Sequence, residues 1–110
     1  MNGFVADNIP DENAIALICA IVEDAVHRYA LAIVNMKQYE DSSDRHERFK
    51  YNVAYMTANE IETFFNGSWF KNICEYMNID VNGKKLMKQI RRSPKRFCYQ
   101  HGGRRRKNYD

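Results

Sequence analysis

With 110 residues, 45% of them hydrophobic and 13% aromatic, the chain has material for one core but not two, and is too apolar to stay unfolded. Its net charge of +3 conceals a division: residues 1–83 carry 6 Lys/Arg and 13 Asp/Glu, net −7, while residues 84–110 carry 11 Lys/Arg and one acid, net +10. No apolar run approaches the roughly 18 residues that cross a bilayer, and no basic segment leads an apolar one at the N-terminus, so a soluble cytoplasmic protein without signal peptide or membrane partner is expected.

The first periodic stretch runs from Ile15 through Ile18, Val22, Ala25, Tyr29, Ala32 and Met36, widened by Cys19, Val26 and Ile33, with Glu23, Asp24, His27 and Arg28 opposite. Spacings of three and four predict one long amphipathic helix. Its start is marked by Asn8-Ile9-Pro10-Asp11-Glu12, which combines a capping side chain, an early proline and first-turn acids. The helix is expected to end near Tyr39.

Residues 40–44 read as a short polar connection in which Ser42 or Ser43 caps a second helix. The stripe of that helix is Tyr51, Ala54, Ala58, Ile61 and Phe65, flanked by Phe49, Val53, Met56 and Phe64. So short a joint predicts an antiparallel hairpin. Thr57-Ala58-Asn59-Glu60 also fits the capping-box pattern, which would bend the helix there, although the stripe continues in phase across it.

Asn66-Gly67 reads as a helix end in which glycine takes the left-handed conformation, with Ser68 capping a short third helix that carries Trp69, Phe70, Ile73, Cys74 and Met77. The crowding of Phe64, Phe65, Trp69 and Phe70 around this break suits a corner of the core, where bulky rings close the open end of the hairpin. Asp80-Val81-Asn82-Gly83 is a turn into a last helix, residues 84–92, with Leu86, Met87 and Ile90 inward and the lysines outward. Pro94 limits it. The expected fold is therefore all-α: a long antiparallel helical hairpin capped by two short C-terminal helices, one domain over residues 1–93, with a basic, flexible tail over 94–110.

Three cysteines, Cys19, Cys74 and Cys98, fit reduced thiols. Cys98-x-x-His101 is half of a zinc site and lacks further ligands nearby, so no metal or other cofactor is expected. The histidines His27, His46 and His101 lie far apart, and no phosphate-cradling glycine loop or serine elbow is present, so no enzymatic activity is expected.

The order Glu60-Ile61-Glu62-x-Phe64-Phe65, Trp69-Phe70, then Asp80-Val81-Asn82-Gly83-x-x-Leu86-Met87-x-x-Ile90-Arg91 resembles a family of small helical proteins from phages and prophages of Gram-positive bacteria. Gly67 stands where that family tends to have serine, and Asn82 stands for its second aspartate. The resemblance covers roughly residues 14–92 and implies origin in a mobile genetic element, with no reaction attached.

Two functions follow as expectations. The first is a non-enzymatic protein that modulates a host protein or nucleoprotein complex, most concretely an anti-CRISPR-like inhibitor of a defence nuclease. It would dock its acidic body, through Glu40, Asp41, Asp44 and Glu47, in the positively charged channel of a CRISPR effector. The second is a nucleic-acid-binding accessory protein acting through Lys84, Lys85, Lys88, Arg91, Arg92, Lys95, Arg96 and the run Arg104, Arg105, Arg106 and Lys107, with Phe97, Tyr99 and Tyr109 supplying base stacking. The three-four apolar repeat of the first helix also predicts a homodimer wherever the second helix leaves it uncovered.

Overall fold

The computed structural model describes residues 11–98, and within them every regular element is a helix. Helix α1 spans Glu12–Tyr39, α2 Arg45–Asn66, α3 Ser68–Tyr76 and α4 Gly83–Arg92, after which residues 94–98 are again helical. The expected tail thus begins as helix, and Phe97 and Cys98 pack against the core. Phe97, expected to stack on bases, is thus partly buried against the core. Asn8, Ile9, Pro10, Tyr99, His101 and Tyr109 lie outside the described residues.

Asp11 caps α1, its carboxylate accepting from the Ala14 N–H at 3.3 Å, and Glu12 and Lys37 match the two ends of the helix dipole. The cap of α2 is Asp44, which accepts from the Glu47 N–H at 3.0 Å, rather than Ser42 or Ser43. Ser42 supports it from outside, its hydroxyl accepting from the Asp44 N–H at 3.1 Å and donating to the Glu47 carboxylate at 2.5 Å. Helix α2 then runs unbroken through Thr57–Glu60, where the apolar stripe continues in phase, and the Thr63 hydroxyl donates to the Asn59 carbonyl at 3.0 Å.

Gly67 does not adopt the left-handed conformation: its φ of −83° and ψ of 169° are extended. It joins α2 to α3 with no intervening loop, and Ser68 is the first residue of α3 instead of its cap. The left-handed residue is Asn78, φ 57°, past the end of α3, where Ile79 N–H reaches back to the Cys74 carbonyl at 2.8 Å in a Schellman-type closure. Asn82 caps α4, its amide oxygen accepting from Lys84 N–H at 2.8 Å and Lys85 N–H at 3.2 Å. The glycine that follows is required sterically, since a Cβ at Gly83 would stand 2.3 Å from the Phe65 carbonyl oxygen.

The core is one cluster built from Ala25, Tyr29, Ala30 and Ala32 of α1, Ala54, Ala58, Ile61 and Phe65 of α2, Phe70 of α3, and Met87 and Ile90 of α4. Alanines where α1 meets α2 let the two backbones approach closely. Contacts between those helices descend in register, with Tyr29 beside Glu62 and Tyr39 beside Lys50, so they run antiparallel. At the far end Phe65 and Phe70 meet edge to face at 5.1 Å, and Phe64 lies 5.2 Å from Trp69. Phe65 and Phe70 are buried in this corner, whereas Trp69 keeps 43% of its surface exposed.

Helix α4 returns alongside α1: Leu86 shares a pocket with Val22, Arg91 bonds Tyr29, and residues 92–96 stand beside Val34, Lys37 and Gln38. It covers one face of the α1–α2 pair. The other face carries an open groove of about 340 Å³ lined by Arg28, Leu31, Ala32 and Asn35 of α1 and Phe49, Lys50, Val53, Ala54 and Thr57 of α2. Phe49 and Val53, expected to flank a buried stripe, are exposed here; Met56 is exposed too, and so is Cys19 of α1, on the side that faces α3 and α4.

Candidate nucleic-acid interface

Helical spacing sorts α4 into two sides. Leu86, Met87 and Ile90 occupy the inward third, with Met87 and Ile90 buried. Lys85, Lys88 and Arg92 fall in one row at spacings of three and four on the opposite side, with Lys84 and Arg91 along one flank of it, and all five are exposed. At 1.5 Å per residue, Lys84 to Arg92 spans about 12 Å, a length over which one strand of B-DNA presents about three or four phosphates.

The strip continues past the end of α4. Arg92, Lys95 and Arg96 share an open groove of about 590 Å³ with Lys37, Val34, Gln38, Ser93 and Pro94. A neighbouring groove of about 430 Å³ is lined by Gln89, Arg92, Ser93, Arg96 and Phe97. Among the described residues no carboxylate lines either one. Among the described residues the side-chain ion pair within 4 Å is Arg28–Asp24, so none of the cations from Lys84 to Arg96 is neutralised by direct contact with an acid. Lys37 joins this group from the last turn of α1, a participant that its position in the sequence did not announce.

Arg91 differs from its neighbours. One guanidinium nitrogen donates to the Tyr29 hydroxyl at 2.8 Å, and that hydroxyl donates to the Glu62 carboxylate, also at 2.8 Å. Burial pushes the Tyr29 hydroxyl up from its ordinary pKa, with Glu62 acting in the same direction and Arg91 against it. Arg91 therefore braces α4 against α1 and α2 and offers a polyanion only its remaining donors. Arg104, Arg105, Arg106 and Lys107 lie outside the described residues.

The four acids expected to form a docking surface are placed at the α1–α2 turn, and they divide. Asp44 and Glu47 belong to the cap of α2, and Glu40, Asp41 and Asp44 are all exposed. Of Glu40, the backbone carbonyl is used, accepting from Arg48 at 3.1 Å.

Elsewhere the described residues hold no group of three His, Cys, Asp or Glu side chains arranged to bind a metal ion. Burial raises the thiol pKa of both Cys74 and Cys98, which keeps them protonated near neutrality. No helix among the described residues is long and apolar enough to cross a membrane. Comparison with known protein families, with characterised proteins and with solved structures gives no match.

Proposed function

We propose that this chain is a non-catalytic nucleic-acid-binding accessory protein, a helical hairpin closed by two short helices, that works in the cytoplasm of a host carrying a mobile genetic element. The observation that carries this reading is the strip from Lys84 to Arg96, exposed, extended by Lys37, and without an acid in contact among the described residues. Cations held on a rigid helix bind phosphates with less ordering cost than the same cations on a free chain. The strip has no base-reading constellation, so binding depends on charge and shape more than on sequence.

Gel-shift titration of the full chain with short duplex and single-stranded oligonucleotides of unrelated sequence tests this. Similar affinity for duplexes of different sequence is expected, lost when Lys84, Lys85, Lys88 and Arg92 are changed together to glutamate and kept in the Glu40→Lys/Asp41→Lys variant. Binding that survives reversal of the α4 strip would refute the assignment.

The inhibitor reading draws on a smaller surface, the exposed Glu40, Asp41 and Asp44, of which Asp44 also caps α2. It expects a defined protein partner, such as a CRISPR effector, that stays bound after nuclease treatment and is lost in that Glu40/Asp41 variant.

A further inference from the structure

The face of the α1–α2 pair that α4 leaves uncovered exposes large apolar side chains on both helices among charged ones. On α1, Leu17, Ile21, Asp24, Arg28 and Leu31 succeed one another at spacings of four, three, four and three, which places them in one row. On α2, Phe49, Val53 and Met56 form the matching row. Leu17 is 63% exposed, Phe49 64% and Met56 62%, values far outside those of the core cluster.

The α1 row is self-complementary. When two copies of α1 cross antiparallel about a two-fold axis that passes between Asp24 and Arg28 on this face, Ile21 of one meets Leu31 of the other, and Asp24 of one meets Arg28 of the other. Leu17 then falls opposite Asn35, beside which Phe49 lines the same groove. Ile21 meets Leu31 and Asp24 meets Arg28 on both sides of the axis, the self-complementarity an isologous interface requires. The axis also falls at the middle of α1, so the whole length of the helix is used.

We infer that this face binds a second copy of the chain, making an antiparallel dimer in which two hairpins pack open face to open face. Asp24 and Arg28, 3.9 Å apart within one chain, exchange partners across the axis. Leu31, Val53 and Phe49 leave solvent, which is the stabilising contribution. The inference is independent of the basic strip, which lies on the covered side with α4.

Light scattering coupled to size exclusion tests it on the full chain. A mass twice the 13.0 kDa of one chain is expected, falling to the monomer value in Leu31→Glu and Val53→Glu with unchanged helical circular dichroism. A mixing experiment checks the register without relying on those variants. Asp24→Arg presents two cations and Arg28→Asp two acids, so each alone is expected to be monomeric and an equal mixture to form a heterodimer. A wild-type monomer at every concentration overturns the inference and leaves the face to a different protein. A dimer that survives Leu31→Glu, or a mixture that stays monomeric, overturns it as well.

Discussion

The Tyr29 hydroxyl donates to the Glu62 carboxylate across 2.8 Å, joining the middle of α1 to the last turns of α2, and accepts from Arg91 of α4 at the same distance. Three helices meet at one oxygen atom. Tyr29→Phe keeps the ring in the core and removes that oxygen, so a loss of about 1–2 kcal/mol in urea unfolding is expected.

The same residue sets a pH dependence. Its folded-state pKa is raised, chiefly by burial, so the folded chain holds the phenolic proton more tightly than the unfolded chain does. That contribution is complete below the unfolded tyrosine pKa and is lost as pH rises through the folded value. Wild-type stability should therefore fall more steeply with alkaline pH than that of Tyr29→Phe, as read by unfolding midpoints across that range.

Gly83 and Gly67 separate in the same assay. A Cβ at position 83 would stand 2.3 Å from the Phe65 carbonyl oxygen, whereas one at position 67 stands 3.1 Å from that of Thr63. Gly83→Ala must move α4 away from α2 and should cost about 1–3 kcal/mol. Gly67→Ala should cost less.

Capping at the α1–α2 turn makes a sharper distinction. Asp44→Ala removes the side chain that accepts from Glu47 N–H and should cost about 1 kcal/mol, while Ser43→Ala should leave the midpoint nearly unchanged.

The thiols report burial chemically. Iodoacetamide at neutral pH should label exposed Cys19 first, with Cys74 and Cys98 slower because burial limits access and keeps both protonated. In denaturant all three should react alike, a comparison made by mass spectrometry of digested protein.

The all-helical character was readable because Ile18, Ala25, Tyr29 and Ala32 repeat at the helical period, and the same positions are buried. Periodicity reports which residues share a side, not what covers it. Phe49, Val53 and Met56 read as an extension of the core stripe because apolarity looks the same whether another helix covers it or not. Local cap chemistry was read to within two residues: the Asp44 carboxylate takes the Glu47 N–H, and the Ser42 hydroxyl takes the Asp44 N–H one step earlier. The bond between Glu62 and Tyr29 spans 33 positions and that between Arg91 and Tyr29 spans 62, and no local pattern encodes either. The outward lysines of α4 were visible as charge, but the placement of Lys37 beside Arg92, Lys95 and Arg96 arises only from the return of α4 along α1.

The most direct measurement is the salt dependence of binding, followed by fluorescence anisotropy of a labelled duplex against the full chain. Each phosphate neutralised by the strip contributes about −0.9 to the slope of log affinity against log salt. A linear fall is expected, with a slope made shallower by about 0.9 for each of Lys84, Lys85, Lys88 and Arg92 that contacts a phosphate and is replaced by alanine. A chain that binds no duplex at low salt, or whose slope is unchanged when all four are replaced, would contradict a nucleic-acid interface on α4.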